Sequence, residues 1–340
     1  MRNTVTLAQL SDLHLAPLPG LPLRHANAKR LLGLANWRRN RQRLHLRPVL
    51  DAIVADVLAQ HPDHIAVTGD LVNLGLPAEH EAARRWLEQL GPPGRVSVVP
   101  GNHDAYVRMR DPGYLRWAGY MTGVGENPGV GAPHAPPGGD PRGAFPYVRQ
   151  VGGVALIGLA SGVPTPLLLS SGELGPAQLQ RFAVALRHTK AGFTRVVLIH
   201  HPPLPHPAAW RRGLRDAAGF GRVIATEGAE LVLHGHFHRH MLNWLPGRPL
   251  PTEWRAGHRA LPGETAREQV PVVGVASASA GNVSHGDLAA YHLFHITTAG
   301  PAAGIEMVVR GLASPASPVR ELSRTLLTSF APLTAASAAR

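Results

Sequence analysis

VTLAQLSDLH, residues 5–14, is an apolar run of strand length that stops on a turn carrying Asp12 and His14. The same arrangement returns four times: HIAVTG precedes Asp70, RVSVVPG precedes Asn102 and His103, RVVLI precedes His200, and LVL leads into HGHFH with His236 and His238. Each run is short and mostly apolar, with several β-branched residues, and each gives way to Gly, Pro or polar residues, which reads as a strand. Side chains delivered from successive strand ends converge on one rim of a sheet, where open α/β sheets build their sites.

Working outward, helical stretches separate these runs near 48–60, 78–90 and 176–189, with a weaker one near 216–227. Such alternation predicts an α/β fold with its sheets covered by helices. After His238 the pattern changes to strand-like runs at 270–277, 288–297 and 304–310 with no clear helix between them, and no internal repeat of fixed period is present. At 340 residues, with 44% apolar and 16% charged, the chain can bury a substantial core as one large domain or two modest ones.

The residue types at the strand ends suit metal ions. Carboxylate, imidazole and amide oxygen make a mixed N/O set that fits Zn, Mn or Fe, whereas an all-oxygen set would fit Ca or Mg. There is no cysteine, so thiolate sites are excluded. One carboxylate can bridge two ions at the roughly 3.5–4 Å spacing of two-metal hydrolases. Asp70, isolated behind Gly69 in a tight strand-end turn, is the natural bridge. His236 and His238 stand two apart, so in an extended stretch they point the same way, each toward a different ion, while Phe237 points opposite.

The five blocks D-x-H, G-D, G-N-H-D, H and G-H-x-H, in this order across residues 12–238, resemble the calcineurin-like metallophosphoesterase superfamily, in its bacterial phosphodiesterase-like branch. Any one block is a weak signal; five in order are highly specific. The resemblance implies a four-layer αββα sandwich of two mixed β-sheets flanked by helices, with the metal site at strand ends and the late strands in the second sheet. By position it implies that Asp12, His14 and His238 hold a first metal, that Asn102, His200 and His236 hold a second, and that Asp70 bridges. His103 would orient the phosphate or, as its imidazolium, protonate the leaving oxygen, steadied by Asp104. The HHPP doublet leaves a choice of ligand, which the resemblance settles on His200 over His201.

The chain has 20 histidines, so a lone one such as His25, His61, His80 or His188 is read as surface or core. His201 and His234 flank ligands without holding pattern positions, and are read as packing partners or substrate contacts. Two metals can lower the pKa of a bound water and neutralise phosphate oxygens, so no protein nucleophile is required. Consistently, there is no G-x-S-x-G elbow and no G-x-x-x-x-G-K-[ST] loop.

Net charge is +12, and the one concentrated basic segment is RHANAKRLLGLANWRRNRQRLHLR, with eight Lys or Arg between Arg24 and Arg47 and no acid. It lies in an insertion, 16–48, between the first two blocks. Leu31, Leu34 and Trp37 recur every three residues, so a helix there has a greasy edge beside a basic face. That pattern fits packing on the domain with solvated arginines, or contact with an anionic membrane. Nucleic acid is disfavoured, because aromatics are only 5% and no stacking platform is evident.

Residues 122–143 are a Gly/Pro-rich loop, either a lid or a surface insertion. The domain is expected to span 1–311, followed by a low-complexity tail, 312–340, in which SRTLLTSF forms a short helix and the rest frays. The opening MRNTVTLAQLSD enters a strand at once and no run of about 18 apolar residues occurs, so neither leader nor spanning helix is expected. The resulting expectation is a cytoplasmic two-metal phosphodiesterase acting on a small phosphodiester. The alternatives are a pyrophosphatase of a lipid-linked nucleotide at the inner face of the membrane, and a non-catalytic scaffold, which would be expected to have lost ligands.

Overall fold

The computed structural model describes residues 3–109, 112–123, 141–189, 192–205, 208–247, 269–284, 286–299 and 303–329. Two six-stranded sheets form the body. The first runs β12 (Val319–Ser329), β11 (Gly304–Leu312), β10 (Ala290–Thr297), β1 (Thr4–Leu10), β2 (His64–Val67), β3 (Val96–Val98). The second runs β4 (Tyr147–Val151), β5 (Val154–Gly158), β6 (Thr194–Leu198), β7 (Leu231–His234), β9 (Gln269–Gly274), β8 (Met241–Pro246). Both are mixed. β1, β2 and β3 are parallel, as are β5, β6, β7 and β9, while the outer strands β10–β12, β4 and β8 pair antiparallel.

The period-2 alternation of the second sheet explains the layering. Val154, Leu156, Val196, Leu198, Leu231 and Leu233 face the first sheet and join its core. Their neighbours Ile157, Val197 and Val232 turn the other way, onto Phe182, Leu186, Phe220 and Ile224 of helices α5 (Pro176–His188) and α7 (Ala217–Glu227). Helix α3 (Arg47–Ala59) packs on β10 and β12 of the first sheet, and α4 (Pro77–Leu90) buries Ala83, Trp86 and Leu87 in the same core. Strands buried on both faces read as continuous apolar runs, which is why they were conspicuous in the sequence.

Two expectations need correcting. Of the three late runs, only β9 joins the second sheet; β10 pairs on the free edge of β1 and β11 pairs on β10, so both extend the first. SRTLLTSF is not helical: Ser323–Ser329 lies in β12, an edge strand paired with β11 through two register shifts. Its β-branched and alternating residues, with Leu322 and Leu326 outward and Leu327 inward, suit an edge better than a helix face. The remainder of the tail, 330–340, and most of the Gly/Pro-rich loop, 124–140, lie outside the described residues, so the lid reading does too.

The insertion forms an arm. Helix α1 (Ala28–Asn36) is capped by the Asn27 side chain, passes through a π-helical turn (Trp37–Arg41), and ends in α2 (Gln42–Leu44); the short α6 (Ala209–Arg212) completes the helices used below. Among the described residues no helix is long and apolar enough to cross a membrane.

Candidate metal centre

All five strand-end turns meet at one rim, at the carboxyl ends of β1, β2, β3, β6 and β7. The turns bind each other through the backbone: Asp12 N–H donates to Gly69 O at 2.9 Å, His14 N–H to Asp70 O at 3.0 Å, and Leu15 N–H to Leu71 O at 2.9 Å. Asp12, His14, Asp70, His236 and His238 all hold left-handed backbone, with φ between 43° and 73°. Such conformations are strained for residues other than Gly and persist where surrounding structure fixes them, typically at functional sites. Gly69, at φ 99°, is required twice over, since a Cβ there would also lie 2.6 Å from His200 Nδ1.

Three imidazoles are oriented alike. His14 Nδ1–H donates to Val72 O at 3.1 Å, His103 Nδ1–H to Asn73 O at 2.5 Å and His200 Nδ1–H to Thr68 O at 2.7 Å, leaving each Nε2 turned to the centre. His236 is held the other way round, its Nε2–H donating to Arg212 O at 2.6 Å, which leaves Nδ1 as the free nitrogen. Fixing one ring nitrogen on a carbonyl is how proteins aim the other at a metal.

The donor atoms cluster in overlapping groups: His14, His45 and His238; Asp12, Asp70 and His200; His14, Asp70 and His103; His200, His201 and His236. A single oxygen of Asp70, Oδ2, lies 3.3 Å from His200 Nε2 and 4.0 Å from His14 Nε2. Asp12 Oδ1, which is buried and lacks a hydrogen-bond partner, lies 3.2 Å from His238 Nε2. His238 Nε2 is itself 3.3 Å from His14 Nε2, and Asn102 Oδ1 is 3.2 Å from His200 Nε2. Converging lone pairs and an orphaned carboxylate oxygen fit cations between them, so the residues present suit a two-metal group.

Electrostatics agree. Burial works to raise both aspartates, but His238 beside Asp12 and His200 beside Asp70 outweigh it, holding Asp12 far below the usual carboxylate range and Asp70 at about 2. Burial lowers His236 to about 3, and burial with the Arg41 charge lowers His14 well below its ordinary value. Both are therefore neutral at pH 7, as ligands must be. His200 departs from this: burial acts downward, but Asp70 and then Asp12 push it up to about 9.

Every expected ligand is brought to the centre, but three expectations about how change. His236 and His238 do not sit in an extended stretch; left-handed turns at both aim one beside His200 and the other beside Asp12 and His14. Asp104 does not steady His103. Its carboxylate accepts from the backbone N–H of Asp70 at 2.9 Å, Gly101 at 2.8 Å and Leu71 at 3.0 Å, so it clamps the Asp70 turn to the Gly101 turn. Burial, with the Asp70 charge added, raises it to about 7. His103 does not stand as an imidazolium either, because burial and the Arg41 charge take it to about 4. His201 is a wall residue, tied to Ser161 Oγ at 2.8 Å and Ser170 O at 3.1 Å; His234 is buried beneath the site.

Two residues of the arm enter the site without having been singled out. Arg41 donates from Nη2 to His14 Nε2 at 2.7 Å and from Nη1 to His103 Nε2 at 2.9 Å. His45 lies with its ring centre 4.4 Å from that of His14; its Nδ1 meets Ser279 Oγ at 2.8 Å and its Nε2 is buried with no hydrogen-bond partner. The only sequence signal was their spacing of four, one helical turn, at the end of a segment read for its surface charge.

The family model of the calcineurin-like phosphoesterases matches residues 5–240, and the chain belongs to that family of metal-dependent phosphoesterases. Among curated proteins it is 27% identical over 252 residues to a probable cyclic nucleotide phosphodiesterase of Synechococcus sp., covering 73% of this chain and 78% of the relative. It is 29% identical over 234 residues to a cAMP/cGMP dual specificity phosphodiesterase of Mycobacterium tuberculosis, covering 65% of this chain and 63% of that one, just under two thirds of its length. Among solved structures, a purple acid phosphatase from yellow lupin (Lupinus luteus) seeds superposes with a TM-score of 0.56 at 9% identity, over 96% of this chain and 54% of the other, a likeness of fold.

Proposed function

We propose that this chain hydrolyses small phosphodiesters at a two-metal centre held by Asp12, His14, His238, Asn102, His200 and His236, with Asp70 bridging. The observation that carries the reading is the single Asp70 oxygen facing a histidine of each ligand group, His14 and His200. Bound there, Mn, Fe or Zn ions supply water activation at neutral pH and charge neutralisation on phosphate. The protein's own contribution is orientation. The strand-end turns hold the ligands in place, and His103, fixed through Nδ1–H on Asn73 O, presents its unprotonated Nε2 to the cleft, where it takes up a proton as the anionic phosphate binds, donates it to a phosphate oxygen and passes it to the leaving oxygen. A diester supports that role best, since an alkoxide leaves poorly without a proton. The names of the two curated relatives favour a diester as well. The lipid-linked alternative has less behind it, because Trp37 and Arg41 of the basic segment turn inward.

The test is turnover by metal-reconstituted protein of bis-p-nitrophenyl phosphate, p-nitrophenyl phosphate, cyclic nucleotides and glycerophosphodiesters. The expected result is a higher kcat/KM for bis-p-nitrophenyl phosphate than for the monoester at neutral pH. A preference for the monoester would overturn the diester reading while leaving the metal centre in place.

A further inference from the structure

The arm between β1 and α3 is pinned at both ends. At its start, buried Arg30 donates to the carbonyls of Leu74 at 3.0 Å, Gly75 at 2.6 Å and His25 at 3.0 Å. At its end, Gly281 N–H reaches Leu44 O at 2.8 Å, Leu46 N–H reaches Ser279 O at 2.8 Å, and Asn282 Nδ2 reaches Arg43 O at 3.0 Å. Between these anchors the π-helical turn buries Trp37, leaves Arg38 and Arg39 in solvent, and swings Arg41 over the ligand cluster. A π turn inside a helix is uncommon and recurs at functional sites, because the extra residue re-aims the side chains that follow it.

Arg41 has no structural partner of its own kind. Among the described residues no carboxylate lies within ion-pair distance of it, and the only hydrogen bonds of its guanidinium are the two to imidazole nitrogens of His14 and His103. Three of the five guanidinium donors therefore remain unused. A planar fork of this kind matches an anion with several oxygens far better than it matches two separate lone pairs. Arg41 also lines a cavity of about 400 Å³ that reaches from Asn102 and His103 out along the arm, walled by Lys29, Leu32, Trp37, Leu74 and Tyr106. Tyr106 stacks on His103 at 5.3 Å and 18° between planes, so the cavity continues directly from the residue facing the phosphate.

Building on the phosphodiesterase reading, we propose that Arg41 is a substrate-binding residue that grips a non-bridging oxygen of the phosphate, and that the cavity beside it receives an ester arm with an apolar body. The basic insertion is thus part of the active site, and its charge serves phosphate recognition at this one arginine.

The experiment measures binding of methylphosphonate and phenylphosphonate to metal-loaded full-length protein by calorimetry, with metal content determined for each variant. Wild type should bind the phenyl compound more tightly. Arg41→Gln should weaken both about tenfold or more at unchanged metal content, the scale of a lost hydrogen bond to a charged group, with Arg41→Lys in between because it keeps the charge and loses the fork. Leu32→Ala, which removes apolar wall without adding charge, should reduce the phenyl preference more than it changes methylphosphonate affinity. Wild-type affinity for both probes in Arg41→Gln, or loss of metal from that variant, would overturn the proposal, as would metal-loaded wild type that binds neither probe. Failure of wild type to cleave any diester would instead sink the proposed function, while the binding comparison, read without turnover, still decides Arg41.

Discussion

Asp12, His14, Asp70 and His200 are at most 2% exposed, and their turns are laced together by backbone bonds; on the arm, Leu31 and Leu32 are 53% and 47% exposed and Arg38, Arg39 and Arg43 stand in solvent. The ligand turns keep a strained backbone because each neighbour fixes the next, whereas the arm is fixed at its two ends and presents single side chains between them. Metal-binding atoms within about 4 Å of each other must be placed to fractions of an ångström, and only a densely bonded core does that. A residue that meets a substrate has no such requirement and can ride on a helix laid across the rim.

The largest effect that would break this division is at Asp70. Asp70→Ala should lower metal content from close to two ions per chain to less than one, with kcat/KM for a diester falling by at least ~10³-fold, more than loss of a single charge-stabilising donor costs. Full occupancy in that variant, by elemental analysis, would remove Asp70 from the bridge. The same variant has a second readout in metal-free protein. His200 is raised to about 9 chiefly by Asp70, so its protonation stabilises the fold fully below about pH 6.5, and that contribution is lost as pH rises through about 9. The urea midpoint of metal-free wild type should fall across that window, and that of Asp70→Ala should be flatter.

Next in size is the clamp. Asp104→Ala strips the acceptor from the buried N–H groups of Asp70, Leu71 and Gly101, at about 1–3 kcal/mol for each donor left unpaired. Metal affinity should fall by roughly 10–100-fold, as for residues that support ligands from behind. Were Asp104 acting through His103 instead, kcat would drop with metal affinity and unfolding midpoint unchanged.

The ligand turns were legible because one rule, apolar strand then polar turn, repeats at each, and because the ligand types are dictated by chemistry that a sequence displays. Asp70 and Gly69 could be read from position alone. Asp104 could not, since a carboxylate after His103 looks the same whether it faces the imidazole or the backbone behind it. The sheet assignment of β10 and β11 was likewise hidden, because strand pairing order depends on which edge of β1 is left free. The arm was the least legible part. Its period-3 apolar residues indicated a helix, and Trp37 is indeed buried, yet Leu31 is exposed and the π turn shifts the facing of every residue after it. Nothing in the composition separates Arg41 from seven other cations around it.

That separation gives the smallest expected effect and the sharpest use of the comparison. Arg38, Arg39 and Arg43 flank Arg41 in sequence, are exposed, and have no part in the site. Replacing all three by Gln should leave metal content and diester kcat/KM within about twofold of wild type, as for surface changes away from buried features. A surface that binds anionic membranes would respond differently, losing ~1 kcal/mol of vesicle affinity per charge removed. Sedimentation with anionic vesicles therefore divides the segment cleanly. If the triple variant sediments like wild type and retains turnover, the charge that matters is Arg41, directed inward by the π turn; if vesicle binding is present in wild type and lost in the variant, the outer face of the arm has a lipid role separate from the site beneath it.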